Sequence, residues 1–277
     1  MPELPEVETV VRDLAAAKIA GRKIQRVEVL HPSVIAQLAP RAFIRRLTGR
    51  KITGVTRRAK FIVFQLEGDE VLTLHLRMTG QLHLARTARD DKHDHLRLTL
   101  DDGRILIYHD PRRFGRWKLA RHAAEVFKEL GPEPLDKKLT AAEFTQRLRA
   151  HHRQLKPLLL DQSFLAGLGN IYVDESLFAA RLHPRRRAQT VKPEQARVLL
   201  AAVRRILQAA IRARGTTLGL GEGNFASPYH MHGTFKLKLK AYGCTGEPCP
   251  RCGTAIKRIV VGQRSTHFCP TCQKQKK

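Results

Sequence analysis

Cys249-Pro-Arg-Cys252, followed after sixteen residues by Cys269-Pro-Thr-Cys272, is the stretch from which the rest of this chain is read. Two Cys-x2-Cys knuckles at this separation match a four-cysteine zinc site. Each knuckle turns tightly enough to aim two thiolates at one point, and the residues between return as a β-hairpin. Four sulfurs complete a zinc tetrahedron and leave no open position, so Cys249, Cys252, Cys269 and Cys272 predict one structural Zn²⁺ rather than a catalytic one. Two disulfides are the alternative, and they belong to oxidising compartments. Within the hairpin lie Lys257-Arg258 and Val260-Val-Gly-Gln-Arg264, basic residues around a turn glycine. Arginine on a stapled hairpin is a common device for gripping nucleic-acid phosphates.

The charge agrees with that reading. Across 277 residues, 51 Lys and Arg face 25 Asp and Glu, a formal +26. This surplus calls for a polyanionic partner. An anionic membrane would also attract it, but no apolar run is long enough to span a bilayer. The start, Met1-Pro-Glu-Leu-Pro-Glu, is acidic where a signal peptide would be basic. The expectation is an intracellular protein, cytoplasmic or nucleoid-associated, in a reducing compartment where thiolates stay available for zinc. Cys244, the fifth cysteine, reads as a packed or solvated thiol.

Residues 5–20 read as a helix with Val7, Val10, Val11 and Leu14 on one face and Gly21 at its end. Ahead of it, loss of Met1 would expose Pro2 as a secondary amine. An α-amino group has a pKa of roughly 8, so part of it is unprotonated at neutral pH and able to attack an electrophilic carbon. Glu3 and Glu6 stand beside it as acid–base groups. By themselves these residues are equally an ordinary helix start. Residues 23–108 then take strand periodicity, with 61–66 and 71–76 as one hairpin and 95–100 and 104–108 as another. That predicts a β-sandwich or barrel carrying one helix. Residues 131–138 have linker composition. Beyond them Thr140 to Glu143 form a capping box, Gly167-Leu-Gly-Asn170 opens a helix, and Pro193 starts a long one. Its apolar face is read as Val198, Leu199, Ala202, Val203, Ile206, Leu207, Ala210 and Ile211. Residues 215–233 are glycine-rich without a period and read as a mobile loop.

Taken together, the chain resembles the formamidopyrimidine-DNA glycosylases, enzymes that excise oxidised purines. The resemblance rests on Pro2-Glu-Leu-Pro-Glu-Val-Glu, Arg58-Ala-Lys60-Phe, His75-Leu-Arg-Met-Thr-Gly and Lys92-His-Asp-His. It continues through Asp110-Pro-Arg-Arg-Phe-Gly, Gly167-Leu-Gly-Asn-Ile-Tyr and His267-Phe-Cys-Pro-Thr-Cys-Gln, in the family's order. It implies an α+β multi-domain fold: an N-terminal β-sandwich catalytic domain with an N-terminal helix (1–130), a linker (131–139), a helical helix-two-turn-helix domain (140–240) and a zinc-bound β-hairpin (241–277). It implies a monomer acting on damaged double-stranded DNA as a glycosylase and AP lyase, with Pro2 as nucleophile and Glu3 as acid–base partner. Lys60 would serve the first elimination and Arg264 the second. Met78, Arg112 and Phe114 would fill the gap left by the extruded nucleotide, Arg112 facing the orphaned cytosine. His93, His151, Arg153 and Asn170 match contacts to the DNA backbone.

Four places depart from the family pattern: Ala59 where glycine is common, Cys244 where a basic residue is common, His151-His152 in a usually Lys- or Arg-rich turn, and the loop 217–228. The last bears on the preferred lesion. Two other readings remain: an endonuclease VIII-like enzyme for oxidised pyrimidines, which Leu4 and the Arg112/Phe114 pair disfavour, and a non-catalytic damaged-DNA-binding protein, for which Pro2, Glu3 and Lys60 would be superfluous.

Overall fold

The computed structural model describes residues 1–88, 90–218, 225–229 and 231–275. The chain forms two compact units, Met1–Lys128 with Ala213–Thr234, and Glu129–Arg212 with Phe235–Lys277.

The first unit is a β-sandwich. Its elements are α1 (Leu4–Ala16), β1 (Ile24–Val29), α2 (Pro40–Leu47), β2 (Ile52–Arg58), β3 (Phe61–Leu66), β4 (Val71–His75), β5 (Gln81–Ala85), β6 (Asp94–Leu100), β7 (Ile105–His109), β8 (Arg116–Ala120) and α3 (Ala124–Phe127). Two four-stranded sheets run in the orders β1-β6-β7-β5 and β2-β3-β4-β8, and all named pairings are antiparallel. Alternation sends Ile62, Phe64, Leu72, Leu74, Leu96, Leu98, Leu106 and Tyr108 into one core, joined by Val7, Val10 and Leu14 of α1. The outer side of β3 and β4 is also covered: Val63 and Val71 pack with Phe61, Val126 and Phe127. This explains why β3 opens with four consecutive apolar residues, Phe61 to Phe64.

Three expectations need correction here. The first helix ends at Ala16 rather than at residue 20, because Lys18 takes φ +55 and closes a Schellman cap. In it Ile19 N–H donates to Leu14 O and Lys18 N–H to Ala15 O. The sandwich also carries α2 and α3, not one helix; α2 begins with Pro40 in its first turn and buries only Phe43 and Leu47. A strand past the expected range, β8, completes the second sheet.

The second unit contains α4 (Ala141–Arg149), α5 (Leu155–Leu160), α6 (Asn170–Ala179), α7 (Pro193–Arg212) and the hairpin β9 (Lys257–Val261)–β10 (Arg264–Phe268). Thr140 caps α4 through a bond from Glu143 N–H at 3.1 Å. On α7 the buried stripe is Ala196, Leu199, Leu200, Ala202, Val203, Leu207, Ala210 and Ile211. Val198, expected on that stripe, is 46% exposed. At 3.6 residues per turn it falls on the side away from Val203.

Chain grouping cuts across the expected region 140–240. Residues 213–234 pack with the sandwich: Phe225 enters its core, and Leu84 N–H donates to Pro228 O. The zinc module groups with the helices. Glu175 of α6 accepts from the backbone N–H groups of Lys240, Ala241 and Tyr242 at 2.8–3.0 Å, and Arg251 donates to Phe178 O at 2.7 Å. Among the described residues no helix is long and apolar enough to cross a membrane.

Candidate active site and nucleic-acid interface

At the N-terminus, the two carboxylates flagged by the sequence do different things. Glu6 is 2% exposed; one oxygen accepts from Glu3 N–H at 2.8 Å and the other from Thr216 N–H at 2.7 Å. It is a bracket between the start of α1 and residue 216. Gly215, at φ +86, is required there, since a Cβ would lie 2.8 Å from a Glu6 oxygen. Glu3 is equally buried, and its charge and that of Glu6 both act on the terminal amine. Burial lowers the pKa of that amine, carried here by Met1; Glu3 and Glu6 oppose the shift, and the Lys60 and Arg112 charges add to it. Lys60 and Arg112 thus act electrostatically on the chain start.

Lys60 is 5% exposed and sits in the tight β2–β3 turn. Ala59 beside it takes φ +52, which is why glycine suits this position and why alanine here carries strain. Arg57 props the turn, donating to Ala59 O and to Glu8, both at 3.0 Å. His75, half-buried at the end of β4, is pushed down to about 3 by loss of water and then by the Arg77 and Lys60 charges. It therefore stays neutral and accepts from Arg77 N–H at 3.0 Å.

Met78 and Phe114 are apolar side chains left 42% and 46% exposed, on two different turns. Both turns hang on Asp110, which is fully buried. Its carboxylate accepts from Thr79 Oγ1 (2.5 Å), Tyr108 Oη (2.8 Å), Gly115 N–H (2.9 Å) and Arg112 N–H (3.2 Å). Burial alone would raise its pKa, but these bonds outweigh burial and hold it below the ordinary range. Gly115 is obligatory, because a Cβ would stand 1.8 Å from the Tyr108 hydroxyl. The Arg112 guanidinium lies over the Phe114 ring, 4.5 Å from its centroid. An exposed cation and two exposed apolar side chains on braced turns suit insertion into a base stack. Sequence reading missed Asp110 and Thr79 as the braces, although both stand inside quoted motifs.

In the second unit Asn170 is the first residue of α6, preceded by Gly169 as N-cap. Its Nδ2 is 3.4 Å from Ser265 Oγ, and its Oδ1 is buried with no hydrogen-bond partner among the described residues. A buried ion pair fixes the hairpin beside it: Lys156 Nζ donates to Asp174 Oδ1 at 2.6 Å and to Ser265 O at 2.7 Å. Asp174 Oδ2 accepts from His267 N–H at 2.9 Å. Lys156 is fully buried and Asp174 is 1% exposed, so neither charge was legible as structural from composition. Arg264, exposed, leaves the β9–β10 turn, where Gly262 and Gln263 have φ +57 and +61. Arg153 is tied to Asp161 at 2.5 Å, and the His151 ring lies edge-on to Phe164 with centroids 5.5 Å apart. His93, half-buried, donates its N–H to Asp91 at 2.9 Å.

The four hairpin cysteines fit zinc. Their sulfurs lie within 4.8 Å of one another, with Cys252 3.5 Å from both Cys269 and Cys272 and Cys249 3.9 Å from Cys272. Sulfurs at about 2.3 Å from a tetrahedral zinc stand roughly 3.8 Å apart. Cys244 is outside this group; burial, followed by Glu247, pushes its thiol up to about 11. The chain thus holds one structural zinc.

Family models match three consecutive parts of the chain. The formamidopyrimidine-DNA glycosylase N-terminal domain covers residues 1–117, the H2TH domain of the same enzymes 130–221, and a zinc finger found in FPG and IleRS 246–275. The chain belongs to the formamidopyrimidine-DNA glycosylase family. It is 46% identical over 277 residues to the formamidopyrimidine-DNA glycosylase of Herpetosiphon aurantiacus, covering 99% of this chain and 100% of that one. The Protochlamydia amoebophila glycosylase is 41% identical with the same coverage. Among solved structures, Lactococcus lactis Fpg in complex with an abasic-site DNA superposes with a TM-score of 0.89 at 38% identity, covering 99% and 100% of the two chains. MutM (FPG) from Thermus thermophilus gives 0.88 at 40% identity, with both chains fully covered. Of the loop 217–228, where the sequence departs from the glycosylase pattern, residues 219–224 lie outside the described residues.

Proposed function

We infer that this chain excises oxidised purines from double-stranded DNA and then cuts the strand as an AP lyase, with Pro2 as the nucleophile once Met1 is removed. The observation that carries the reading is the electrostatic coupling of a partly buried terminal amine to Glu3, Lys60 and Arg112. An amine with a depressed pKa carries a larger unprotonated fraction at neutral pH, and the lone pair of that form attacks C1′ of the damaged nucleotide. The bond from C1′ to the base breaks, and the base leaves with a proton. Glu3 is the group that manages protons at the sugar.

The C1′–O4′ bond then breaks, O4′ taking a proton from Glu3 as the sugar ring opens, and the iminium left between Pro2 and C1′ acidifies the neighbouring C2′–H. Loss of that proton expels the 3′ phosphate, and a second elimination expels the 5′ phosphate. Lys60 serves the first and Arg264 the second. Met78, Phe114 and Arg112 fill the vacated stack, with Arg112 facing the orphaned cytosine. Asn170, His93, His151 and Arg153 grip the backbone, and the zinc keeps the Arg264 hairpin folded without entering the chemistry. Relatives solved with abasic-site DNA and with N7-benzyl-Fapy-dG DNA support damaged DNA as the partner.

Borohydride reduction of the iminium tests this directly. Incubation with an 8-oxoguanine·C duplex should give a permanent adduct that peptide mapping places on Pro2. An adduct on Lys60, or trapping that persists when Met1 is retained, would remove Pro2 from the mechanism. No adduct at all would leave a DNA-binding protein.

A further inference from the structure

The outward face of the sheet β1-β6-β7-β5 carries a cluster of ligand-type side chains that the excision chemistry does not use. Asp94 of β6 pairs opposite His109 of β7, and β5 brings His83 to the same face through its pairing with Ile107. The loop before β6 adds Asp91. A carboxylate oxygen from each aspartate and a ring nitrogen of His109 lie within 4.8 Å of one another. His109 Nδ1 is 3.1 Å from Asp94 Oδ1 and 3.8 Å from Asp91 Oδ2. Ligands at about 2.0–2.2 Å from a tetrahedral zinc stand roughly 3.3–3.6 Å apart, so the observed spacings bracket those of a coordination shell.

Proton bookkeeping points the same way. An imidazole nitrogen carries at most one proton and can give it to one oxygen, yet oxygens of two carboxylates face this nitrogen. A divalent cation accepts all three atoms as ligands at once. The Asp94 side chain is fully shielded and that of His109 is 9% exposed, whereas that of Asp91 is 29% exposed, so the cluster is enclosed on two sides and open at one. Arg97 Nη2 lies 3.4 Å from Asp94 Oδ2, leaving Oδ1 turned toward His109, as outer partners orient metal-bound carboxylates. The rings of His83 and His93 stand 5.7 Å from the His109 ring, centroid to centroid.

We propose that Asp91, Asp94 and His109 form a second divalent-cation site, of mixed oxygen and nitrogen donors, on the sheet face opposite the sandwich core. Imidazole with carboxylates suits zinc and its neighbours rather than magnesium. The fourth position is open to water or to the His93 ring. Because Asp91 also accepts the His93 N–H at 2.9 Å, a cation there fixes the backbone of a residue assigned above to DNA contact. Occupancy would therefore tune the grip on DNA without entering the reaction.

The full-length protein, equilibrated with micromolar zinc and freed of unbound metal by gel filtration, tests this by atomic emission. Wild type should retain one zinc equivalent more than Asp91→Asn and His109→Ala, while both variants keep the four-thiolate zinc. Cobalt supplies a second readout: wild type should show d–d bands beyond those of the thiolate site, and both variants should lose them. Asp91→Asn, altered on a part-exposed loop, decides the matter if His109→Ala fails to fold. Equal metal content in wild type and Asp91→Asn would overturn the proposal.

Discussion

Thr79 Oγ1 donates a 2.5 Å hydrogen bond to Asp110 Oδ1, and through it the turn bearing Met78 is tied to the turn bearing Arg112 and Phe114. The two turns are far apart in sequence but share one buried anion. Asp110→Asn should therefore cost more than one ordinary bond. Hydrogen bonds to a charged group contribute about 1.5–3 kcal/mol, and the amide replaces an acceptor with a donor facing N–H groups. Urea titration should show a loss in that range. Excision should fall more steeply than binding to undamaged duplex, because the turns that enter the base stack loosen while the phosphate contacts remain. Equal losses of both would mean that Asp110 supports only the fold.

Arg112→Ala should change which base is tolerated opposite the lesion. A bidentate contact to a base edge is worth about 1–3 kcal/mol of discrimination. Excision rates on 8-oxoguanine paired with each of the four bases should converge. Asn170→Ala, in contrast, should weaken binding to damaged and undamaged duplexes alike and leave the slope of the salt dependence unchanged, as loss of an uncharged backbone contact does.

The pH profile follows from the amine. Its attacking form is the unprotonated one, so the rate rises with pH through the amine pKa. Burial lowers the pKa of the terminal amine carried here by Met1, and a Pro2 amine freed at the same buried chain start should show an acid limb below the value of about 8 for an ordinary α-amine. Glu3 raises the pKa, so removing its charge in Glu3→Gln should move the acid limb to lower pH while slowing base release. Trapping on a preformed abasic site, measured across pH, separates these two effects. A limb that stays in place in Glu3→Gln would show that the titrating group is not this amine.

Removing one zinc ligand should disorder the hairpin. Cys249→Ser should lose the metal and weaken binding to any duplex, since structural zinc supplies folding energy to modules of this size. Metal content and fluorescence anisotropy on a labelled duplex report the two effects. A metal-free variant that bound like wild type would detach Arg264 from DNA binding.

Lys156→Met tests the buried pair. It strands Asp174 without its cation, and breaking such a pair costs about 3–5 kcal/mol. The second unit should unfold at lower urea with its zinc content unchanged before the transition, because Lys156 holds Ser265 O rather than a thiolate. A change below about 1 kcal/mol would show that Asp174 relaxes toward water.

Much of the architecture was legible. The knuckles and their turn glycine announced the hairpin, and the strands read over residues 61–66 and 104–108 match β3 and all but the ends of β7. What escaped notice has physical causes. Helix α2 is short and anchored by two side chains, too few to display a period. Lys18 ends α1 in a conformation that sequence rules reserve for glycine. Lys156 and Asp174 gave no signal in the sequence, since pairing in the interior depends on residues distant in sequence. That Glu6 is also a bracket was hidden, because its partner Thr216 lies 210 positions away.

That bracket, with Phe225 in the sandwich core, has a consequence for synthesis. Domains generally fold as units while the chain emerges, N-terminal first. Here the strands up to β8 are made long before residues 213–234 appear, so Glu6 must wait for its second donor and the core for one of its aromatic rings. The nascent sandwich stays incomplete on the ribosome until most of the helical unit has been translated. A gene fragment encoding only the first 128 residues would carry that same gap permanently.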